Sequence, residues 1–247
     1  TLVRLRPDLP ALAAAAARHR LLPPRGDDLG YALHAALAAL FGAKAPRPFA
    51  LRQRERGGAE LLGYTVASVG ELRTLAALPG ADGPEELRAA LCPATLEPKP
   101  MPSAWPAALR LRFEVRLRPV LRTRQGRDGP VREHDAFLHA RDAARAADTV
   151  PPEDREAVYR ALLARELARE GAAELLGAEL VAVRRLRVLR RPATPEGGRR
   201  PAAIEGPEAR FAGTLRIADG DAFGRLVARG LGRHRAFGFG MLLLSAG

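Results

Sequence analysis

Cysteine, lysine and long apolar runs are what this sequence has least of. A single cysteine, Cys92, stands among 247 residues. One thiol closes no internal disulfide and builds no cysteine-based zinc site, and it suits a reducing, cytoplasmic compartment. No apolar run reaches about 18 residues, so no transmembrane helix and no membrane partner are expected. The alanine-rich stretch 11–17 lies between Arg4, Arg6, Pro7 and Asp8 on one side and Arg18, His19 and Arg20 on the other. It reads as a short helix rather than a secretory leader. Lys44 and Lys99 are the only lysines among 40 basic residues. Acid is also short: 28 Asp and Glu leave a formal charge of +12. GC-rich coding accounts for arginine in place of lysine and for abundant alanine. It does not account for the excess of base over acid, which points to a polyanion, nucleic acid ahead of an anionic membrane.

What the chain does have is core material. Hydrophobic residues make up 47% of it, which excludes disorder as the default state. The length fits one large domain or two of roughly 100–150 residues. Residues 2–6 alternate apolar and basic, a short strand, and 9–19 read as a helix. Pro23, Pro24 and Gly26 break the chain. Asp27 or Asp28 then caps a helix that runs to Phe41 and stops at Gly42. Strands are expected at 49–54 and 61–66, joined by Gly57-Gly58, helices at 71–78 and 85–91, and an edge strand at 95–101 limited by Pro98 and Pro100. Three prolines within 100–106 mark a linker.

The second half repeats that order. Residues 109–118 give the cleanest strand, with Leu109, Leu111, Phe113, Val115 and Leu117 on one face. Arg110, Arg112, Glu114, Arg116 and Arg118 occupy the other, read as a solvated face more readily than an RNA-binding one. A Gly/Arg-rich turn at 122–132, helices at 135–147 and 153–170, and strands at 180–189, 209–217 and 239–244 follow, with a helix from Asp219 to 228 or 229. Residues 190–207 form a loop or hairpin tip. Strand, helix, strand, strand, helix, strand occurs twice, so the expected fold is α+β, two tandem ferredoxin-like (RRM-like) domains. The expected units are 1–100 and 108–247, with 101–107 as linker.

The most distinctive segment is Gly230-Leu-Gly-Arg-His-Arg-Ala-Phe-Gly-Phe-Gly240, of the form G-x-G-x(5)-G-x-G. A dinucleotide-binding turn needs strand, glycines and then helix. Here a helix precedes and a strand follows. Such glycines let backbone N–H groups approach a phosphate, and Arg233 and Arg235 add charge beside them. His234 lies inside the loop and reads as an RNA contact. Tyr31 and His34 are three apart on a helix and therefore share a face. RNA carries its own nucleophile, the 2′-hydroxyl, so cleavage needs one proton taken and one given, work that a histidine performs near neutrality. Taken alone, His34 also reads as a core or surface histidine on an Ala/Leu-rich helix. His19 is the second candidate, without a tyrosine at helical spacing. His134 and His139 are five apart and do not share a helical face; with Asp135 and Asp142 they make a poor metal cage. No metal and no cofactor are expected.

The loop followed by an apolar strand, 230–244, resembles the signature of the CRISPR repeat endoribonucleases, above all the CasE type that serves type I-E Cascade. The resemblance implies tandem ferredoxin-like domains and a Tyr-x-x-His pair acting in cleavage, matched here by Tyr31 and His34. It also implies a basic hairpin that grips the repeat stem, matched by Arg184, Arg185, Arg187, Arg190, Arg191, Arg199 and Arg200. It brings the glycine loop, with Gly230, Gly232, Arg233, His234, Arg235, Gly238 and Gly240 as RNA-binding residues, near the first long helix. Arg233 or Arg235 would then stabilise charge developing on the phosphate. The expected function is a metal-independent endoribonuclease that makes mature crRNA and stays in Cascade. The alternative is a non-catalytic repeat-RNA-binding subunit of such a complex. Expected partners are a CRISPR repeat stem-loop and Cascade subunits.

Overall fold

The structure is a computed structural model and describes residues 1–53, 58–78, 83–124, 131–190 and 202–247. β1 (Leu2–Leu5) leads into two helices, α1 (Leu9–Arg18) and α2 (Gly30–Phe41). The Asp8 carboxylate caps α1 by accepting the Ala11 N–H at 2.9 Å. α2 stops at Gly42, whose φ of 55° ends the helix at little steric cost. β2 (Phe49–Gln53) and β3 (Ala59–Tyr64) form an antiparallel pair. α3 (Val69–Ala77), opened by a Ser68–Glu71 capping box, and α4 (Glu85–Ala90) follow. β4 (Glu97–Lys99) closes the first sheet in the order β2-β3-β1-β4. Pro98 is accommodated because β4 is an edge strand.

The second sheet is built the same way. β5 (Arg110–Leu117) is followed by a small hairpin, β6 (Val120–Arg124) and β7 (Val131–Asp135), then α5 (Ala136–Ala146) and α6 (Arg155–Leu167). β8 (Ala173–Arg190) and β9 (Ala202–Ile217) form a long antiparallel hairpin. α7 (Gly220–Arg229) and β10 (Leu243–Ala246) complete the order β10-β5-β9-β8. Both sheets therefore have the ferredoxin-like order, and the fold is the tandem α+β one that the element order predicts. Three details differ. Strands β6 and β7 reach into the two ends of the expected turn at 122–132, Arg124 pairing with Val131, and the middle of that turn lies outside the described residues. β8 and β9 begin well before 180 and 209: Ala173–Glu179 pair with the end of β9, and Ala202–Glu208 pair with the end of β8. The last strand begins at Leu243, since residues 239–242 are buried loop leading into it.

The two halves share packing. On β3, Leu61 faces the core under α1 and α2, whereas Leu62 and Tyr64 face the core of the second half. The Tyr64 hydroxyl donates to the Leu242 carbonyl at 3.2 Å, and burial pushes this phenol up to about 12. In the expected linker, Trp105 packs edge-on against Phe223 of α7, 5.1 Å between centroids. Among the described residues no helix is long and apolar enough to cross a membrane.

Candidate functional site

α2 buries Ala32, Leu33, Ala36 and Leu37 and leaves Tyr31 and His34 half-buried on its other side. The two rings meet edge to face, 6.0 Å between centroids. Phe237 of the glycine loop completes the group, 5.3 Å from His34 and 5.8 Å from Tyr31. The loop thus reaches the pair through an aromatic ring that the sequence reading did not single out.

Gly30 sets how closely loop and helix approach. A β-carbon there would lie 2.4 Å from the Phe237 carbonyl oxygen and 2.8 Å from a carboxylate oxygen of Asp28. The first of these is backbone and cannot swing aside. Overpacking of this kind costs about 1–3 kcal/mol. Gly30→Ala is therefore expected to lower the urea midpoint of unfolding without changing the slope. An unchanged midpoint would show that loop and helix part freely.

Close packing constrains the loop glycines. A β-carbon on Gly240 would sit 2.0 Å from the Leu231 carbonyl oxygen, and its φ is 74°. The N–H groups of Gly230, Gly232 and Gly240 donate to Leu226 O, a Glu166 carboxylate oxygen and Arg116 O, at 2.7, 3.0 and 2.7 Å. The expected row of exposed amides is thus taken up internally at these three positions. His234 also points inward: its side chain is 3% exposed and its Nε2 lies 2.7 Å from Glu133. Burial alone would raise Glu133, but hydrogen bonds and charge from His234 and Arg233 hold it at about 2. Burial lowers His234, aided by Arg118 and Arg190 and opposed by Glu133. A neutral imidazole donating to an ionised carboxylate is the consistent pairing, and it ties the loop to β7. The Arg233 Nε donates to Glu133 at 3.2 Å, and Arg235 Nη1 to the Arg229 carbonyl at 3.0 Å. These two arginines line a pocket with Arg47 and Pro48 to which α2 contributes nothing.

The basic hairpin does converge on this region. Leu186 and Val188 of β8 pack with Phe239 and Phe237, and Arg187 donates to the Pro24 carbonyl at 3.5 Å just ahead of α2. Arg184 pairs with Glu208 at 3.0 Å, Arg185 and Arg187 with Glu205 at 3.2 and 3.0 Å, and Arg190 stands 3.9 Å from Glu133. The Arg185 side chain is nevertheless 68% exposed, so these pairs leave cationic surface for a ligand. Arg191, Arg199 and Arg200 lie outside the described residues.

A buried ionic network ties hairpin, loop and helix together. Arg116 Nη2 bonds Asp28 at 2.7 Å and Glu208 at 2.9 Å, and its guanidinium stacks 4.1 Å from the Phe239 ring. Asp28 in turn accepts the Gly30 N–H at 3.0 Å. Burial opposes the ionisation of Glu208, yet Arg116, Arg184 and Arg210 hold it at about 2. Arg118 is 2% exposed, and its three guanidinium nitrogens find no hydrogen-bond partner among the described residues. The expectation of one solvated face is corrected here: Arg110, Arg112 and Glu114 are exposed, while Arg116 turns into the network and Arg118 is buried beside it. Among the described residues no group of three or more His, Cys, Asp or Glu is placed to hold a metal.

The comparisons with known proteins agree with this architecture. The family model for "CRISPR associated protein" matches residues 2–246. No curated protein matches the chain. Among solved structures, Cse3 of Thermus thermophilus bound to an RNA representing a pre-cleavage complex is 19% identical, with a TM-score of 0.60 over 99% of this chain and 98% of that one. CRISPR endoribonuclease Cse3 bound to a 19 nt RNA gives 20% identity and 0.59, over 99% of both chains. Cas6e from Escherichia coli K-12 gives 18% and 0.55 over the whole of both. At these identities the likeness establishes the shared fold, and the family match over nearly the entire length establishes membership: the chain belongs to the CRISPR-associated protein family.

Proposed function

We propose that this protein is a metal-independent endoribonuclease that binds the hairpin of a CRISPR repeat and cuts the precursor transcript to give mature crRNA. The observation that carries this reading is the Tyr31–His34 pair, ring to ring at 6.0 Å, where the basic hairpin and the glycine loop meet. The fold likeness to the CRISPR endoribonuclease Cse3, seen in two structures bound to RNA, supports it.

In this reading the 2′-hydroxyl beside the scissile phosphate attacks phosphorus. The O–P bond to the 5′-oxygen breaks, leaving a 2′,3′-cyclic phosphate and a 5′-hydroxyl. His34 moves a proton as general acid or base, and Tyr31 orients the 2′-hydroxyl or the phosphate. Arg184, Arg185, Arg187 and Arg190, with Arg191, Arg199 and Arg200, grip the stem by phosphate and shape, since an A-form major groove hides its base edges. Residues 1–100 and 108–247 act as two units around this site. The product stays bound within Cascade, in the cytoplasm.

The test is incubation of the protein with repeat RNA in EDTA. Cleavage is expected, and a 2′-deoxy substitution at the cut site is expected to abolish it. Cutting lost in EDTA would overturn the metal-free mechanism. Tight binding without any cutting, with or without divalent ions, would establish a non-catalytic repeat-binding subunit instead.

A further inference from the structure

The pocket on the Arg235 side of the glycine loop has no part in the chemistry above. It encloses about 410 Å³ between Arg47 and Pro48, ahead of β2, and Arg229, Arg233 and Arg235. Four guanidinium groups line it and no acidic side chain does. Arg229 is the most telling: its Nε and Nη2 are buried without a hydrogen-bond partner among the described residues, while Nη1 lies 3.4 Å from Glu170. Unsatisfied buried donors are rare in folded proteins because each forfeits its bonds to water. Burial and the charges of Arg229, Arg169 and Arg233 hold Arg235 below its usual value, with Glu166 opposing them. Cations brought this close repel one another unless an anion stands between them.

We infer that this pocket binds a backbone phosphate of the substrate strand where it runs single-stranded past the cut site. The inference rests on the endoribonuclease reading and adds to it a second anchor on the same loop. Arg235 and Phe237 share one 3-10 turn, so a strand whose phosphate lies at His34, beside Phe237, continues toward Arg235 within a few residues of loop. Guanidinium forks match phosphate oxygens, and several of them fix one phosphate in place.

The experiment uses the full protein and two RNAs: the hairpin ending at the base of its stem, and the same hairpin extended past the cut site with a 2′-deoxy block. Arg47→Ala and Arg229→Gln are expected to weaken binding of the extended RNA about 10-fold. The plot of log affinity against log salt should become shallower by about 0.7 for one lost single-strand phosphate contact. The hairpin alone should bind each variant as it binds the wild type. Arg110→Ala, which removes the same charge from an exposed site, should change neither. Wild-type affinity for the extended RNA in both pocket variants would overturn the inference. Equal losses on both RNAs would overturn the single-strand assignment. Should the wild type bind neither RNA, the parent reading fails, and inorganic pyrophosphate decides the pocket. A thermal midpoint raised in the wild type and not in Arg47→Ala keeps an anion site there, and no rise in either removes it.

Discussion

His34→Ala is expected to slow cleavage of repeat RNA by about 10²–10⁴-fold and to leave affinity for that RNA within about twofold. The rate loss follows from the chemistry. Attack by a 2′-hydroxyl needs one proton removed and another delivered at the leaving oxygen, and His34 brings an imidazole to the junction of α2, loop and hairpin. Retained affinity follows from the geometry, because Arg184, Arg185, Arg187 and Arg190, the described arginines offered to the stem, lie on β8 and the imidazole touches Tyr31 and Phe237 instead. Alanine is a strong helix former, so α2 should keep its shape. Tyr31→Phe keeps the ring contacts and removes only the hydroxyl, and a smaller loss is expected from it. Single-turnover cleavage beside direct binding separates the two quantities. A His34→Ala protein that cuts at a wild-type rate would reduce His34 to a packing residue. His19, the other candidate, lies 3.4 Å from Glu86 of α4, and His19→Ala is expected to leave the cleavage rate unchanged.

The architecture was legible because each half repeats one order of elements and β5 carries a clear period of two. Leu111, Phe113, Val115 and Leu117 alternate through β5 and are all buried. The Tyr31–His34 spacing and the run of glycines were equally plain, since both are local. What sequence hid is what depends on distance. Asp28 and Arg116 are 88 residues apart and Arg116 and Glu208 are 92, so no periodicity joins them. The same alternation that located β5 misassigned its far end, because a period of two names a face without saying whether another element covers it. Arg110 and Arg112 meet solvent, while Arg116 and Arg118 on the same face lie beneath the hairpin base, where a β-carbon on Gly206 would be 2.5 Å from Arg118 Nη2. The burial of His234 was hidden for a related reason: a histidine between two arginines in a loop looks exposed until Glu133, 101 residues away, closes over it. Gly30 carried no signal as a helix-opening residue, because the atom that forbids a side chain there belongs to Phe237.

Arg116→Met is expected to cost about 3–5 kcal/mol of stability at neutral pH, because it strands buried carboxylates without their cation. For a chain of this length that is a fall in midpoint of roughly 10 °C. Methionine keeps much of the contact with Phe239, so lost packing does not explain the effect. Asp28 loses its salt bridge while remaining 4% exposed, and Glu208 keeps only Arg184 and Arg210. The pH dependence gives the sign. In the wild type Glu208 sits at about 2 against 4.5 for an unperturbed glutamate, so it stabilises the fold above pH 4.5 and loses that contribution as pH falls toward 2. Without Arg116 its folded value rises and the contribution shrinks. The gap in stability between wild type and variant should therefore be widest near neutrality and narrow progressively between about pH 4.5 and 2. A gap that does not change with pH would assign the loss to packing. Cleavage should weaken as well, because Asp28 holds the head of α2 through the Gly30 amide, and the Arg116 carbonyl holds the loop through Gly240. Arg116→Lys restores one charge that can reach both carboxylates but not the planar stack on Phe239, so it should recover stability and rate in part. Recovery of stability without recovery of rate would show that the stacked guanidinium, and not its charge alone, sets the distance between Phe237 and His34.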